Sequence, residues 1–162
     1  MFQLVSYEWE RVDGALITAA MRMGRTLYKW SGARRLQVWN LSESRFDVVD
    51  EMMPVELLEW FRDLEEKAIL LLEDGHMLLD QSNTERGFII WWLRELARMT
   101  KSENKCMILG TVTPTTILEL DKEMPIIELD LPRRHTLGII FDDVVEEAGL
   151  LPHQVEKSEA LL

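Results

Sequence analysis

Five consecutive apolar residues, Ala68 to Leu72, followed at once by Glu73 and Asp74, constrain this chain more than any other stretch. The run is too short for a buried helix and too uniformly apolar for a half-exposed strand. A strand lacking alternation has both faces covered, which is the condition of an interior strand in a parallel sheet. The two carboxylates then fall at the carboxyl end of that strand, where open α/β sheets bind ligands. This one segment predicts a sheet with helices on both sides and a candidate site at its edge.

The rest of the sequence supplies the matching elements. Val12, Leu16, Ala19, Ala20 and Met23 recur at helical spacing between about Tyr7 and Met23, and Gly24 is a natural stop. Thr26 to Trp30 has a short strand pattern, with weaker strand patterns at Val38 to Leu41 and Phe46 to Val49. Pro54 sits where the first turn of a helix tolerates it. Leu57, Leu58, Phe61 and Leu64 continue that helix to about Lys67. A third helix runs from Arg86 to Thr100, with Ile89, Trp92, Leu93 and Leu96 on one stripe and Arg94, Arg98 and Lys101 opposite. Phe88 and Trp91 widen its apolar surface beyond what one packing contact needs. Cys106 to Val112 and Pro125 to Leu131 are strand runs, and His135 to Ala148 is a final helix with Gly149 as its cap. Alternation of this kind argues for a parallel sheet sandwiched by helices, occupying 1–149, with 150–162 as a polar-rich tail.

Composition excludes several classes. With 162 residues, 47% hydrophobic and 29% charged, the chain has the makeup of an ordinary globular domain burying roughly 70% of its unfolded surface. Its single cysteine, Cys106, cannot form an internal disulfide. No apolar stretch reaches the roughly 18 residues of a membrane span, and MFQLVSYEWERV lacks a basic-then-apolar leader pattern, so a cytoplasmic protein is expected. The net charge of −11 opposes nucleic-acid binding. The charge is uneven: residues 1–45 hold seven basic and four acidic side chains, residues 46–162 eleven and twenty-five. Arg22, Arg25, Lys29, Arg34 and Arg35 therefore form a candidate patch for an acidic partner or a phosphate, against the plainer alternative of a solvated surface.

Chemistry is sparse. Nowhere does Gly-x-x-x-x-Gly-Lys-Ser/Thr occur, so the loop whose amides, lysine and hydroxyl hold phosphates and Mg²⁺ is missing from the sequence. His76, His135 and His153 have no His or Cys at zinc-ligand spacing. No Gly-x-Ser-x-Gly elbow supports a nucleophilic serine. Glu73 and Asp74 could bind Mg²⁺ with Asp80 or Thr111, but Mg²⁺ sites lean on substrate phosphates, so the affinity without a phosphate grip is expected to be poor. Alternatively they merely end the strand, with Asp74 capping the next turn. His76 lies close in sequence to the same carboxylates.

One ordered series stands out. Glu8 and Glu10 open the first helix, then come Gly24-Arg25-Thr26-Leu27-Tyr28-Lys29-Trp30-Ser31, LLLEDGHMLLD, ERGFIIWWLRELARM, CMILGTVTP and ELDKEMPIIELDLP. From Tyr7 to Ala148 this resembles the N-terminal half of the AAA-type ATPases encoded in algal chloroplast genomes and in cyanobacteria. The resemblance implies a P-loop-NTPase-like core that is degenerate, with an intact phosphate loop in a separate C-terminal module. It places Glu73 and Asp74 at the Walker B carboxylates, Arg86, Arg94 and Glu95 on the arginine-containing helix after them, Thr111 at the polar sensor, and Leu131-Pro132-Arg133-Arg134 at the turn before the last helix. The order Glu73 then Asp74 reverses the usual Asp then Glu, and the lid has no counterpart.

The expected function is that of a catalytically inactive AAA-like module, a pseudo-ATPase acting by protein contact through Arg22, Arg25, Arg34, Arg35, Phe88 and Trp91. Its partner is expected to be another copy or an active AAA subunit. Glu73, Asp74 and Thr111 would give at most weak nucleotide or Mg²⁺ binding, with no catalytic residue and no resident metal. Two alternatives stand beside it: a nucleotide- or Mg²⁺-dependent enzyme or sensor using the same carboxylates, and an inactive clamp-loader-like subunit on nucleic acid, which the acidity disfavours.

Overall fold

The computed structural model describes residues 1–99, 104–129, 134–147 and 149. Contacts divide the chain into a compact unit, Met1–Leu129, and a second, Asp130–Leu162. The tail expected over 150–162 lies outside the described residues. Within the second, α5 spans Arg134–Glu147. Gly149 follows it with φ 66° and donates its N–H to the carbonyl of Glu146 at 3.0 Å, a left-handed helix end. Expectations for Leu131 to Arg133 and Ala148 lie outside the described residues.

The first unit is built on β1 (Phe2–Val5), α1 (Trp9–Met23), β2 (Thr26–Ser31), β3 (Arg35–Asn40), β4 (Arg45–Asp50), α2 (Pro54–Asp63), β5 (Ala68–Leu72), α3 (Gly75–Leu78), α4 (Arg86–Met99), β6 (Lys105–Thr111) and β7 (Ile126–Glu128). Among the described residues the strands form one seven-stranded sheet in the order β4-β3-β2-β5-β6-β1-β7. Strands β2, β5, β6, β1 and β7 run parallel, while β2-β3-β4 is an antiparallel meander. The sheet is therefore mixed, not wholly parallel as expected. The short connections Gly32–Arg34 and Leu41–Ser44 explain the difference, because they reverse the chain without room for the crossover that parallel neighbours need.

Both faces of the inner parallel strands β5 and β6 are covered, whereas β7 at the edge is exposed. β5 supplies the division: Ala68, Leu70 and Leu72 join a core with Leu57, Leu58 and Phe61 of α2 and Ile89, Trp92, Leu93 and Leu96 of α4. Ile69 and Leu71 join the opposite core with Val12, Leu16 and Ala20 of α1, together with Leu4, Leu27 and Ile108. All five β5 residues are buried, and Leu71 is 1% exposed. Gly24 ends α1 at φ 59°, ψ 46°, a conformation open to a residue without Cβ, and its N–H reaches the carbonyls of Ala20 and Met21. Pro54 opens α2 at its first turn as expected, but the helix ends at Asp63 rather than Lys67.

Candidate functional site

The carboxyl ends of the parallel strands bring four loops to one edge. Val5 of β1 is paired with Thr111 of β6, and Lys29 and Trp30 of β2 with Leu71 and Leu72 of β5. The chain leaves β1 through only Ser6, Tyr7 and Glu8 before α1 begins at Trp9. That turn is tightly bonded: the N–H of Ser6 donates to the carbonyl of Thr111 at 2.9 Å, and the N–H of Glu8 to Ser6 Oγ at 3.0 Å. Trp9 then packs over the sheet. A Cβ added at Gly110 would lie 2.8 Å from Trp9 Cη2 and Cζ3, so only a bare Cα lets the indole sit there.

Glu73 and Asp74, adjacent in sequence, have different surroundings. The Glu73 N–H continues the sheet by donating to the carbonyl of Trp30 at 2.8 Å. Its carboxylate lies 3.5 Å from Lys29 Nζ, which also bonds Asp13 Oδ2 of α1 at 2.6 Å. Lys29 is 2% exposed, and its ammonium stands 4.1 Å from the centre of the Phe46 ring. Burial pushes the Glu73 carboxyl above its ordinary range and Asp13 adds to the rise, while Lys29 and Arg34 oppose it. Asp74 is exposed, with a left-handed backbone (φ 53°, ψ 34°), and no side-chain bond caps α3. Its role in that turn falls to its main-chain carbonyl, which accepts from Met77 N–H at 2.8 Å. The side-chain capping expected of Asp74 is thus replaced by a backbone bond.

Thr111 is fully buried against Gln3 of β1. With the Gln3 amide turned so that both its ends are satisfied, its oxygen accepts from Thr111 Oγ1 at 2.8 Å and Thr115 N–H at 2.9 Å, and its nitrogen donates to the Thr115 carbonyl at 3.2 Å. Thr111 therefore helps to hold the segment after β6 rather than facing solvent. Asp80 is occupied locally, accepting from the Ser82 N–H and hydroxyl, which holds its carboxyl below the usual range. His76 Nδ1 is buried without a partner. Among the described residues, no group of three or more His, Cys, Asp or Glu side chains is arranged to hold a metal.

The basic residues do not form one patch. Arg22 and Arg25 precede β2, while Arg34 follows it, so the strand's six residues separate the ends by on the order of 20 Å. Arg35 lies beside Arg34 with φ 61° and reaches Met53 Sδ at 3.5 Å, and Lys29 is in the core. Phe88 and Trp91, by contrast, are brought together on the outer side of α4, 68% and 58% exposed. With Thr84 and Gly87 they line an open hollow of about 540 Å³. A smaller one of about 170 Å³ continues from Trp91 along Arg94, Glu95 and Arg98.

Sequence reasoning missed Asp13, Gln3 and the burial of Lys29. Leu27, Lys29 and Ser31 alternate along β2, but alternation does not reveal which face is covered.

A mixed seven-stranded sheet with helices packed on it, β1 leading directly into α1 and acidic residues ending β5 two places away, defines an α/β class of core. The sequence matches the family described as SpoVK-like AAA ATPase, N-terminal domain, over residues 1–129, and the chain belongs to that family. The match ends at the same residue as the first compact unit. No curated protein and no solved structure matches the chain. Among the described residues no helix is long and apolar enough to cross a membrane.

Proposed function

We propose that this domain is a catalytically silent AAA module that works by protein contact, in the cytoplasm, with copies of itself or with an active ATPase subunit. Its affinity with the plastid and cyanobacterial AAA proteins is part of the same reading. The observation that carries it is the turn Ser6–Glu8. Where a P-loop core needs a long glycine-rich loop presenting free amides, this chain has three residues, and the N–H groups of Ser6 and Glu8 are already bonded inside the protein. Trp9, the next residue, lies against Gly110 of β6, and Glu73 at the end of β5 is held by Lys29. Phosphoryl transfer depends almost wholly on positioning and charge neutralisation, so a core without these groups is expected to be inactive.

The exposed Phe88 and Trp91 support the contact role, since large aromatic side chains at the surface recur as the anchors of interfaces. Titration calorimetry with Mg-ATP on the purified chain should give no saturable heat and no turnover. Tight binding lost in Glu73→Ala or Asp74→Ala would establish the sensor or enzyme reading instead. Light scattering should report a species larger than the monomer, or capture of an active AAA subunit, weakened by Trp91→Ala. A strict monomer at high concentration, with no AAA subunit bound and no effect of Trp91→Ala, would remove the assembly role.

A further inference from the structure

We propose that β7 and the hollow beside it form a docking edge for an extended segment of another protein, one that carries an apolar side chain flanked by basic ones. β7 ends the sheet, and all three of its residues are exposed. Its inner side is engaged with β1. The Gln3 N–H donates to the Pro125 carbonyl at 2.9 Å and the Leu129 N–H to the Val5 carbonyl at 3.0 Å, with Ile127 beside Leu4 between them. In a parallel ladder every second residue turns both its backbone groups to the same neighbour. Pro125, Ile127 and Leu129 therefore face β1, and the N–H and C=O groups of Ile126 and Glu128 point off the sheet. Four outward groups in register are a template for one more strand.

Three residues are too few to choose a partner through the main chain alone, so the choice falls to side chains. Beside Ile126 the segment after β6 leaves a hollow of about 300 Å³, rimmed by Thr115, Thr116 and Asp121 over the buried Ile117, Leu120 and Met124. Gln3 binds both backbone groups of Thr115, which fixes that wall in advance. A strand added at about 4.8 Å from β7 would set alternate side chains on the face of Ile126, where the hollow opens. Charge narrows the partner further. Residues 117–128 hold Glu119, Asp121, Glu123 and Glu128 against Lys122, a surface that favours Lys or Arg beside the apolar anchor. A second copy of this chain does not offer such a strand from its sheet edges. Its β4 carries Asp47 and Asp50, with Arg45 already paired to Glu43 and Asp47, and its β7 repeats Glu128. The occupant is therefore a different protein.

The test uses the full chain and two fluorescein-labelled synthetic peptides, Gly-Ser-Lys-Val-Lys-Leu-Lys-Val-Gly-Ser and the same sequence with Glu for each Lys. Anisotropy should show saturable binding of the lysine peptide, at least about tenfold tighter than the glutamate one. Hydrogen exchange on that complex should slow at the amides of Ile126 and Glu128. Glu128→Pro removes an outward N–H and leaves the inward ladder intact, whereas Glu128→Gln removes the charge and keeps the N–H. The proline variant should weaken the lysine peptide more than the glutamine one does. Thr116→Trp, which fills the hollow from its exposed rim, should weaken it at least about fivefold. Equal affinity for the two peptides, no saturable binding below about 1 mM, or protection falling on α4 instead of β7 would overturn the proposal. So would unchanged binding by Thr116→Trp, the variant that decides if Glu128→Pro does not fold.

Discussion

Burial raises the carboxyl of Glu73, and Lys29 beside it pulls the other way without cancelling the rise. A carboxyl whose folded pKa exceeds its unfolded value favours the protonated native state, so ionised Glu73 costs stability at neutral pH. That cost disappears as pH falls through the raised pKa. Denaturant melts across the acid range should therefore show the wild type gaining on Glu73→Gln as pH drops, with Glu73→Gln no less stable near neutrality. A wild-type advantage that instead grows toward neutral pH would mean that the ion pair outweighs burial. Asp74, exposed and bonded through its main chain, gives the contrasting case: Asp74→Asn should leave the melting curve unchanged. Leu71 is the third residue to test. It is 1% exposed between α1 and β6, and Leu71→Ala should cost about 2–5 kcal/mol from lost transfer energy and the cavity left behind. A much smaller loss would mean that α1 does not pack where described.

At the level of elements, the contact between Trp9 at the start of α1 and Gly110 in β6 fixes how closely helix and sheet approach. The added methyl of Gly110→Ala would meet Trp9 at 2.8 Å and Leu71 Cδ1 at 3.2 Å. Overpacking of this kind costs about 1–3 kcal/mol, and Trp9→Leu in the same chain should return part of it, so a double-mutant cycle should show favourable coupling. The elements most legible in the sequence were those with unbroken or strongly periodic apolar residues. β5 has the predicted ends, Ala68 and Leu72, and α4 the predicted start, because nothing in their patterns competes. β1 was not legible. It has four residues with Gln3 in the middle, and the partner that satisfies Gln3, Thr111, lies 108 residues away. A buried glutamine reads as polar surface until that partner is known. The site was partly legible for the same reason: Glu73 was found from its place after β5, whereas Lys29 carries the same signal as the surface arginines around it. The exposure of Phe88 and Trp91 was foreseen because Ile89, Trp92, Leu93 and Leu96 already complete the inward stripe of α4.

Across the whole molecule, the sheet is assembled out of chain order. β1 sits between β6 and β7, with Phe2 beside Ile108 and Gln3 beside Ile126, while β2 lies three places away. Topologies dominated by such distant pairings fold slowly, because loop closure is opposed by chain entropy until the far strands arrive. Hydrogen exchange during refolding should show β2, β3 and β4 protected before β1, with the amides of Leu4 and Val5 among the last. Early protection of those two amides would contradict this order.

During synthesis the consequence is sharper. Phe2 to Val5 leave the ribosome before either of their partners, and neither neighbouring strand exists until residues 105–128 have followed. At about 5–20 residues per second the first strand waits several seconds, an interval in which Leu4 and Val5 are open to any other extended chain nearby. A nascent chain stalled before Lys105 should therefore engage chaperones through Phe2 to Val5, and release of the β6 and β7 residues should end that engagement.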